Sequence, residues 1–170
     1  MNKEKNLLTF KEHVTMLAEE VYDELGSGFK EDTLQQALAI AFRQSNIKYL
    51  RETHLEIFYK KESLGLFRLD FFIPAQKHKK WELMTPVIIE TKASSKLNID
   101  ARLQLKNYLI SLPKNSSEEL RNIKEGLLIN WNNRLDPLEP SKKSQEVEVE
   151  LWSLKKHKFK LIHTNGIEES

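Results

Sequence analysis

A chain of 170 residues with 39% hydrophobic and 31% charged residues has the makings of one folded domain with a heavily charged surface, which argues against a disordered or membrane-embedded polymer. The absence of cysteine excludes disulfides and thiolate zinc sites, so any metal must be held by carboxylate, carbonyl or imidazole groups. A formal net charge of +2 does not by itself announce a nucleic-acid partner, and any basic surface must be local.

No apolar run approaches the roughly 20 residues needed to span a bilayer, and Met1 to Lys11 lacks a signal-peptide block; the expectation is a cytoplasmic protein with no membrane partner. One domain is expected over 1–170, with a core at about 10–131 and a C-terminal β extension at 132–170.

Val14, Leu17, Ala18, Val21 and Leu25 recur at helical spacing until Gly26-Ser27-Gly28 stops the helix. A second helix is predicted from about Lys30 to Gln44, with Leu34, Ala37, Leu38, Ala41 and Phe42 as its buried stripe. Alternation then takes over. Runs at about Leu50 to Lys60 and Leu64 to Pro74 flank a turn at Lys61-Glu62-Ser63 and predict a β-hairpin. After the polar, basic stretch Ala75 to Glu82, the β-branched run Pro86 to Lys92 reads as a central strand. A third helix is predicted from about Asn98 to Leu112, with Leu105, Tyr108, Leu109 and Leu112 inward, and the run Gly126 to Trp131 reads as the next strand. Strand, helix, strand at this spacing predicts a parallel crossover, and the tail adds a hairpin at Val147 to Trp152 and Phe159 to His163. The fold class is thus α/β, a mixed central sheet flanked by α-helices.

Alternation predicts Phe67, Leu69, Phe71 and Ile73 on the core face of their strand and Asp70 on the other, less apolar face. In the central strand, Ile88, Glu90 and Lys92 share one face, so Glu90 and Lys92 project together. If the two strands are neighbours, Asp70 and Glu90 converge on one cation, and the carbonyl between Glu90 and Lys92 offers a further oxygen. Two carboxylates around a Mg²⁺- or Mn²⁺-like ion, with a lysine alongside, are the equipment for attack of water on a phosphodiester. The bland alternative is a Glu90 to Lys92 or Arg68 to Asp70 ion pair on a solvated face. Glu31 lies on the inward stripe of the second helix and can reach such a site, or simply favour the helix dipole. Gln104 flanks the apolar stripe of the third helix. Lys77, Lys79 and Lys80 beside Trp81 are one candidate nucleic-acid contact; Lys155, Lys156, Lys158 and Lys160 near Trp152 and Phe159 are another, and the default reading of either is a solvated lysine-rich loop or hairpin.

In this order these residues resemble the PD-(D/E)XK nuclease superfamily, and within it the GxxExxY family. Gly28-Phe29-Lys30-Glu31 is similar to the opening of the namesake motif, although Leu34 stands where its tyrosine would be. Gly65 to Asp70 resembles the strand with the metal-binding aspartate, Val87 to Ala93 the Glu-x-Lys core, Gln104 to Leu109 the glutamine helix, and Lys124 to Asn130 the closing strand. The resemblance implies a restriction-endonuclease-like core, with metal ligands at Asp70 and Glu90, a catalytic Lys92, and Glu31 and Gln104 in support, Glu31 as a further metal ligand or to polarise a metal-bound water. It also implies Mg²⁺ or Mn²⁺ as cofactor and nucleic acid, DNA before RNA, as substrate. A homodimer is a further expectation, since cutting both strands often takes two copies. The rival reading is a catalytically silent nuclease-fold module that binds nucleic acid or a protein partner.

Overall fold

A computed structural model describes residues 2–166. Helix α1 (Lys3–Leu25) starts where the Asn2 side chain accepts the Glu4 N–H at 3.0 Å and ends at Gly26, whose φ of 75° suits a glycine. It begins well before the predicted stripe, because Leu7 and Phe10 extend the same buried face toward the N-terminus. Helix α2 (Glu31–Gln44) buries Leu34, Leu38 and Phe42, with Ala37 and Ala41 partly buried beside them.

Strands β1 (Leu50–Tyr59) and β2 (Glu62–Ile73) form the expected hairpin. The turn is tighter than the predicted Lys61-Glu62-Ser63: Lys60 and Lys61 take φ of 48° and 69°, the left-handed pair that a two-residue hairpin with right-handed twist requires. The basic stretch that follows folds into a small ribbon, β3 (Gln76–Lys77) against β4 (Glu82–Leu83). Strand β5 (Val87–Ser94), helix α3 (Ile99–Ser111), a 3₁₀ turn (Leu112–Lys114), the short helix α4 (Glu118–Arg121) and strand β6 (Glu125–Asn132) come next. The short helix α5 (Lys143–Glu146) then leads into the hairpin β7 (Val147–Lys155) and β8 (Lys158–Thr164).

The six-stranded sheet has the order β1-β2-β5-β6-β7-β8. Only β5 and β6 run parallel, joined through α3 as predicted, so the sheet is mixed and β5 is interior. Helices α1 and α2 cover one face, packing on Phe71, Ile73, Ile89, Leu127, Ile129 and Trp131. Helix α3 covers part of the other, where Leu105, Tyr108 and Leu109 meet Leu55, Leu69, Phe72, Ile88 and Leu128. Gly126 lets α3 lie close: a Cβ there would stand 2.7 Å from Leu105 Cδ1. Among the described residues no helix is long and apolar enough to cross a membrane.

The single-face expectation for Phe67, Leu69, Phe71 and Ile73 is corrected. Leu69 packs on the α3 side, whereas Phe71 and Ile73 pack on the α1 and α2 side. The cause is a break in the ladder: β1 and β2 pair at Arg51 with Phe71 and at Thr53 with Leu69, but Glu52, with φ of 56°, and Asp70 between them do not pair. A left-handed residue inside a strand shifts its alternation, so the two strands change faces at Glu52 and Asp70.

Candidate active site

The site sits where the sheet forks. β2 pairs with β5 only at Phe71, Phe72 and Ile73, opposite Ile89, Ile88 and Val87. Beyond Phe71 the strands separate, and Asp70 stands at the separation beside Glu90 of β5.

Main-chain groups hold the two carboxylates. The Asp70 N–H donates to Glu90 Oε1 at 3.1 Å, and the Thr91 N–H donates to Asp70 Oδ2 at 2.8 Å. Glu90 is only 2% exposed. Burial, followed by the negative charge of Asp70, pushes its carboxyl well above the ordinary range. A cation between the two would relieve that cost.

Glu90 and Lys92 extend the face of β5 that carries Ile88, on the α3 side, as alternation predicts. Lys92 Nζ donates to Gln104 Oε1 at 2.8 Å, and Gln104 Nε2 donates to the Tyr108 hydroxyl at 3.0 Å. Positions 104 and 108 share a helical face. Burial raises the Tyr108 hydroxyl pKa, which keeps it neutral at ordinary pH. Among the described residues neither bland ion pair is present. Lys92 forms no pair with Glu90, and Arg68 turns instead to Glu52 at 3.3 Å.

Thr91 points the other way, toward α2. Its hydroxyl lies 3.3 Å from both Glu31 Oε1 and Asp70 Oδ2 and accepts from Gln35 Nε2 at 2.7 Å. Gln35 Nε2 also donates to Glu31 Oε1 at 3.0 Å, and Arg51 Nη2 donates to Gln35 Oε1 at 3.0 Å. Burial, then the Asp70 charge, raises the Glu31 pKa. Glu31 thus stands behind Thr91, and among the described residues no group of three or more histidine, aspartate or glutamate side chains is assembled to hold a metal. Glu31 is connected to Asp70 through the threonine hydroxyl, which lies within hydrogen-bond reach of an oxygen of each.

Thr91, Gln35, Arg51 and the hydroxyl of Tyr108 were not among the predicted site residues. Gln35 had a readable signal: it lies one turn after Glu31 on the inward side of α2. Thr91 was a lone hydroxyl on the apolar face of the central strand. Arg51 carried none, since its approach depends on how β1 packs against α2.

Lys77 is exposed on β3, and Lys79 and Lys80 are exposed in the turn that joins β3 to β4. This places them near the N-terminal end of β5, away from the fork. Trp81 is not available to stack on a base. It is 2% exposed, stacks on His78 at 4.8 Å, meets the edge of Phe10 and donates from Nε1 to His13 Nδ1 at 3.1 Å. An aromatic beside lysines looks the same in sequence whether it faces water or core. The C-terminal Lys155, Lys156, Lys158 and Lys160 are exposed as well, with Trp152 and Phe159 stacked on each other at 4.3 Å.

A family model described as the PD-(D/E)XK nuclease superfamily matches residues 9–139, from the first half of α1 to the segment after β6. No curated protein and no solved structure matches the chain. The match identifies the superfamily and leaves the likeness of Gly28 to Glu31 to the GxxExxY branch as a resemblance. A model covering most of the chain thus agrees with a forked mixed sheet that carries Asp70, Glu90 and Lys92 in the expected order, and the chain belongs to the PD-(D/E)XK nuclease superfamily.

Proposed function

We propose that the protein is a metal-dependent nuclease that hydrolyses phosphodiester bonds in nucleic acid, DNA in preference to RNA, and acts in the cytoplasm. The observation that carries this reading is the pairing of two partly or fully buried carboxylates, Asp70 and Glu90, next to a lysine that is bound to a glutamine rather than neutralised by either acid.

The donor set fits Mg²⁺ or Mn²⁺: Asp70 and Glu90 offer hard oxygen atoms, the main-chain carbonyl of Thr91 offers another, and no soft ligand is near. When bound, such an ion acidifies water and neutralises charge that develops on the phosphate. The rest is done by the chain. Thr91 N–H fixes one oxygen of Asp70 and Asp70 N–H fixes one oxygen of Glu90, which leaves the second oxygen of each carboxylate for the ion. Gln104, steadied by Tyr108, aims the Lys92 ammonium, which donates to the phosphate oxygens and orients the attacking water. Glu31 and Gln35 hold the Thr91 side chain, and with it the backbone between the two β5 site residues. Lys77, Lys79 and Lys80 are proposed to touch the phosphate backbone away from the point of cleavage, as point charges without base selectivity. A second copy of the chain would place a second fork on the opposite strand of a duplex.

The test is incubation of purified protein with supercoiled plasmid, single-stranded DNA and RNA, each with Mg²⁺, Mn²⁺ or chelator. Metal-dependent nicking that prefers DNA supports the reading; inertness in every metal, with retained binding to the same polymers, overturns it in favour of a silent binding module.

A further inference from the structure

A cavity lies at the start of β6, away from the fork. There the first turns of α1 face the start of β6 and the β7–β8 hairpin across it. The cavity, of about 460 Å³, is lined by Asn2, Lys3 and Glu4 of the α1 start, by Glu125, Ser153 and the β7–β8 lysines, and by Leu7 and Ile162 as apolar walls, so that four lysines face two carboxylates. Glu125 and Ser153 face each other across the β6–β7 ladder and are 2% and 3% exposed. Glu125 Oε1 is 3.4 Å from Lys3 Nζ, but Glu125 Oε2 and Ser153 Oγ are both buried with no hydrogen-bond partner among the described residues. Folded proteins rarely leave such atoms unpaired, because each forfeits its hydration for nothing in return.

The two orphaned atoms and the surrounding charge narrow the ligand. A metal cation is disfavoured by Lys3, Lys155, Lys158 and Lys160 at the rim. A bare anion is disfavoured by the buried carboxylate, which requires a donor. The cavity therefore calls for one molecule with an N–H donor at its inner end, a flat apolar body between Leu7 and Ile162, and an anionic outer end. Its volume falls in the range of small-molecule sites.

We propose that this cavity binds a free nucleotide whose base carries an exocyclic amino group. The amino N–H donates to Glu125 Oε2. The Ser153 hydroxyl pairs with the adjacent ring nitrogen, as donor to adenine or cytosine and as acceptor from guanine. The phosphate is held by Lys155, Lys158 and Lys160 at the edge of the sheet. The site is separate from the fork: Glu125 opens β6, whereas Glu90 and Lys92 lie opposite Leu128 and Asn130 farther along that strand. A nucleotide held here would report on the nucleotide pool, independently of the chemistry at Lys92.

The test is calorimetric titration of the full chain, in chelator, with AMP, GMP, CMP, UMP and inorganic phosphate. The amino-bearing nucleotides should bind at least about tenfold more tightly than UMP or phosphate, a difference of one good hydrogen bond. The exposed pair Lys158→Glu and Lys160→Glu should weaken AMP binding at least about tenfold with an unchanged melting temperature. Ser153→Ala should weaken it while holding or raising the melting temperature, since it removes an orphaned hydroxyl. Glu90→Gln, at the fork, should leave AMP binding intact, which separates this site from the nuclease reading. Equal affinity for UMP, phosphate and AMP would reduce the cavity to an unselective basic patch and overturn the proposal, as would no binding at millimolar nucleotide or binding indifferent to the lysine and serine variants.

Discussion

Lys92 and Gln104 meet at 2.8 Å across the gap between β5 and α3, and the amide oxygen takes the place that a carboxylate would fill in an ordinary ion pair. An amide aims an ammonium without neutralising it. The full charge of Lys92 therefore remains available to a phosphate, whereas a partner glutamate would compete for it.

Removal of the ammonium should be severe. Lys92→Ala and Glu90→Ala are expected to lower the cleavage rate by about three or more orders of magnitude with little loss of fold, because both act on transition-state charge. Single-turnover nicking of plasmid in Mn²⁺ checks this, and wild-type rates in either variant would remove the fork as the site.

Gln104 acts through Lys92 and is a positioning residue. Gln104→Leu should cost about 10- to 100-fold in kcat with a smaller change in KM. Gln104→Glu should keep the lysine aimed but pair with it, so its cleavage should depend on pH differently from wild type. If Gln104→Leu and Gln104→Glu lose activity equally and share the wild-type pH profile, the amide has only a packing role.

A third expectation lies outside the site. His13 is 7% exposed and its Nδ1 accepts from Trp81. Burial first, then the Lys80 and His78 charges, lowers its pKa from 6.5 to about 4. Between those values the unfolded chain binds the proton and the folded chain does not, so this contribution is complete above pH 6.5 and is lost as pH falls toward 4. The loss is on the order of 3 kcal/mol at most. Urea unfolding at pH 7 and pH 4.5 should show a smaller acid-induced loss in His13→Gln than in wild type. Parallel losses in the two proteins would assign the acid sensitivity to other groups.

Much of this architecture was legible because the signals were local. Leu34, Leu38 and Phe42 mark α2 by spacing, and Ile88, Ile89 and their neighbours mark an interior strand by β-branching and length. Glu90 and Lys92 could be placed on one face because β5 keeps perfect alternation. The failures came where the chain leaves regular geometry or where partners are distant in sequence. Period-two reasoning carried Leu69 and Phe71 to the same face, since nothing in the letters reveals that Glu52 turns left-handed. The burial of Trp81 depends on Phe10 and His13, some 70 residues earlier, and no local pattern encodes it. Glu31 was placed on the correct side of α2, yet its distance from the carboxylate pair is set by how α2 packs over Thr91. That is tertiary information.

The fork itself can be tested by stability without any assay of cleavage. Asp70 and Glu90 crowd two carboxylates together, and burial with the Asp70 charge raises the Glu90 pKa well above its ordinary value. For a raised carboxyl the folded chain holds the proton more tightly than the unfolded chain. Its contribution is therefore full below the ordinary glutamate pKa and is lost as pH rises through the raised one, which leaves the metal-free fold penalised near neutrality. Asp70→Asn keeps an oxygen to accept from Thr91 N–H and removes one charge. In chelator near neutral pH its melting temperature should equal or exceed that of wild type. Mg²⁺ or Mn²⁺ should raise the wild-type melting temperature by mass action, equivalent to about 2.7 kcal/mol at a hundredfold excess over Kd, and should do much less for the variant. Were the carboxylates structural partners of nearby cations instead, Asp70→Asn would melt below wild type and neither protein would respond to metal. Thermal melts of both proteins, in chelator and across a metal titration, separate the two cases, and the second pattern would take Asp70 out of the metal-binding set.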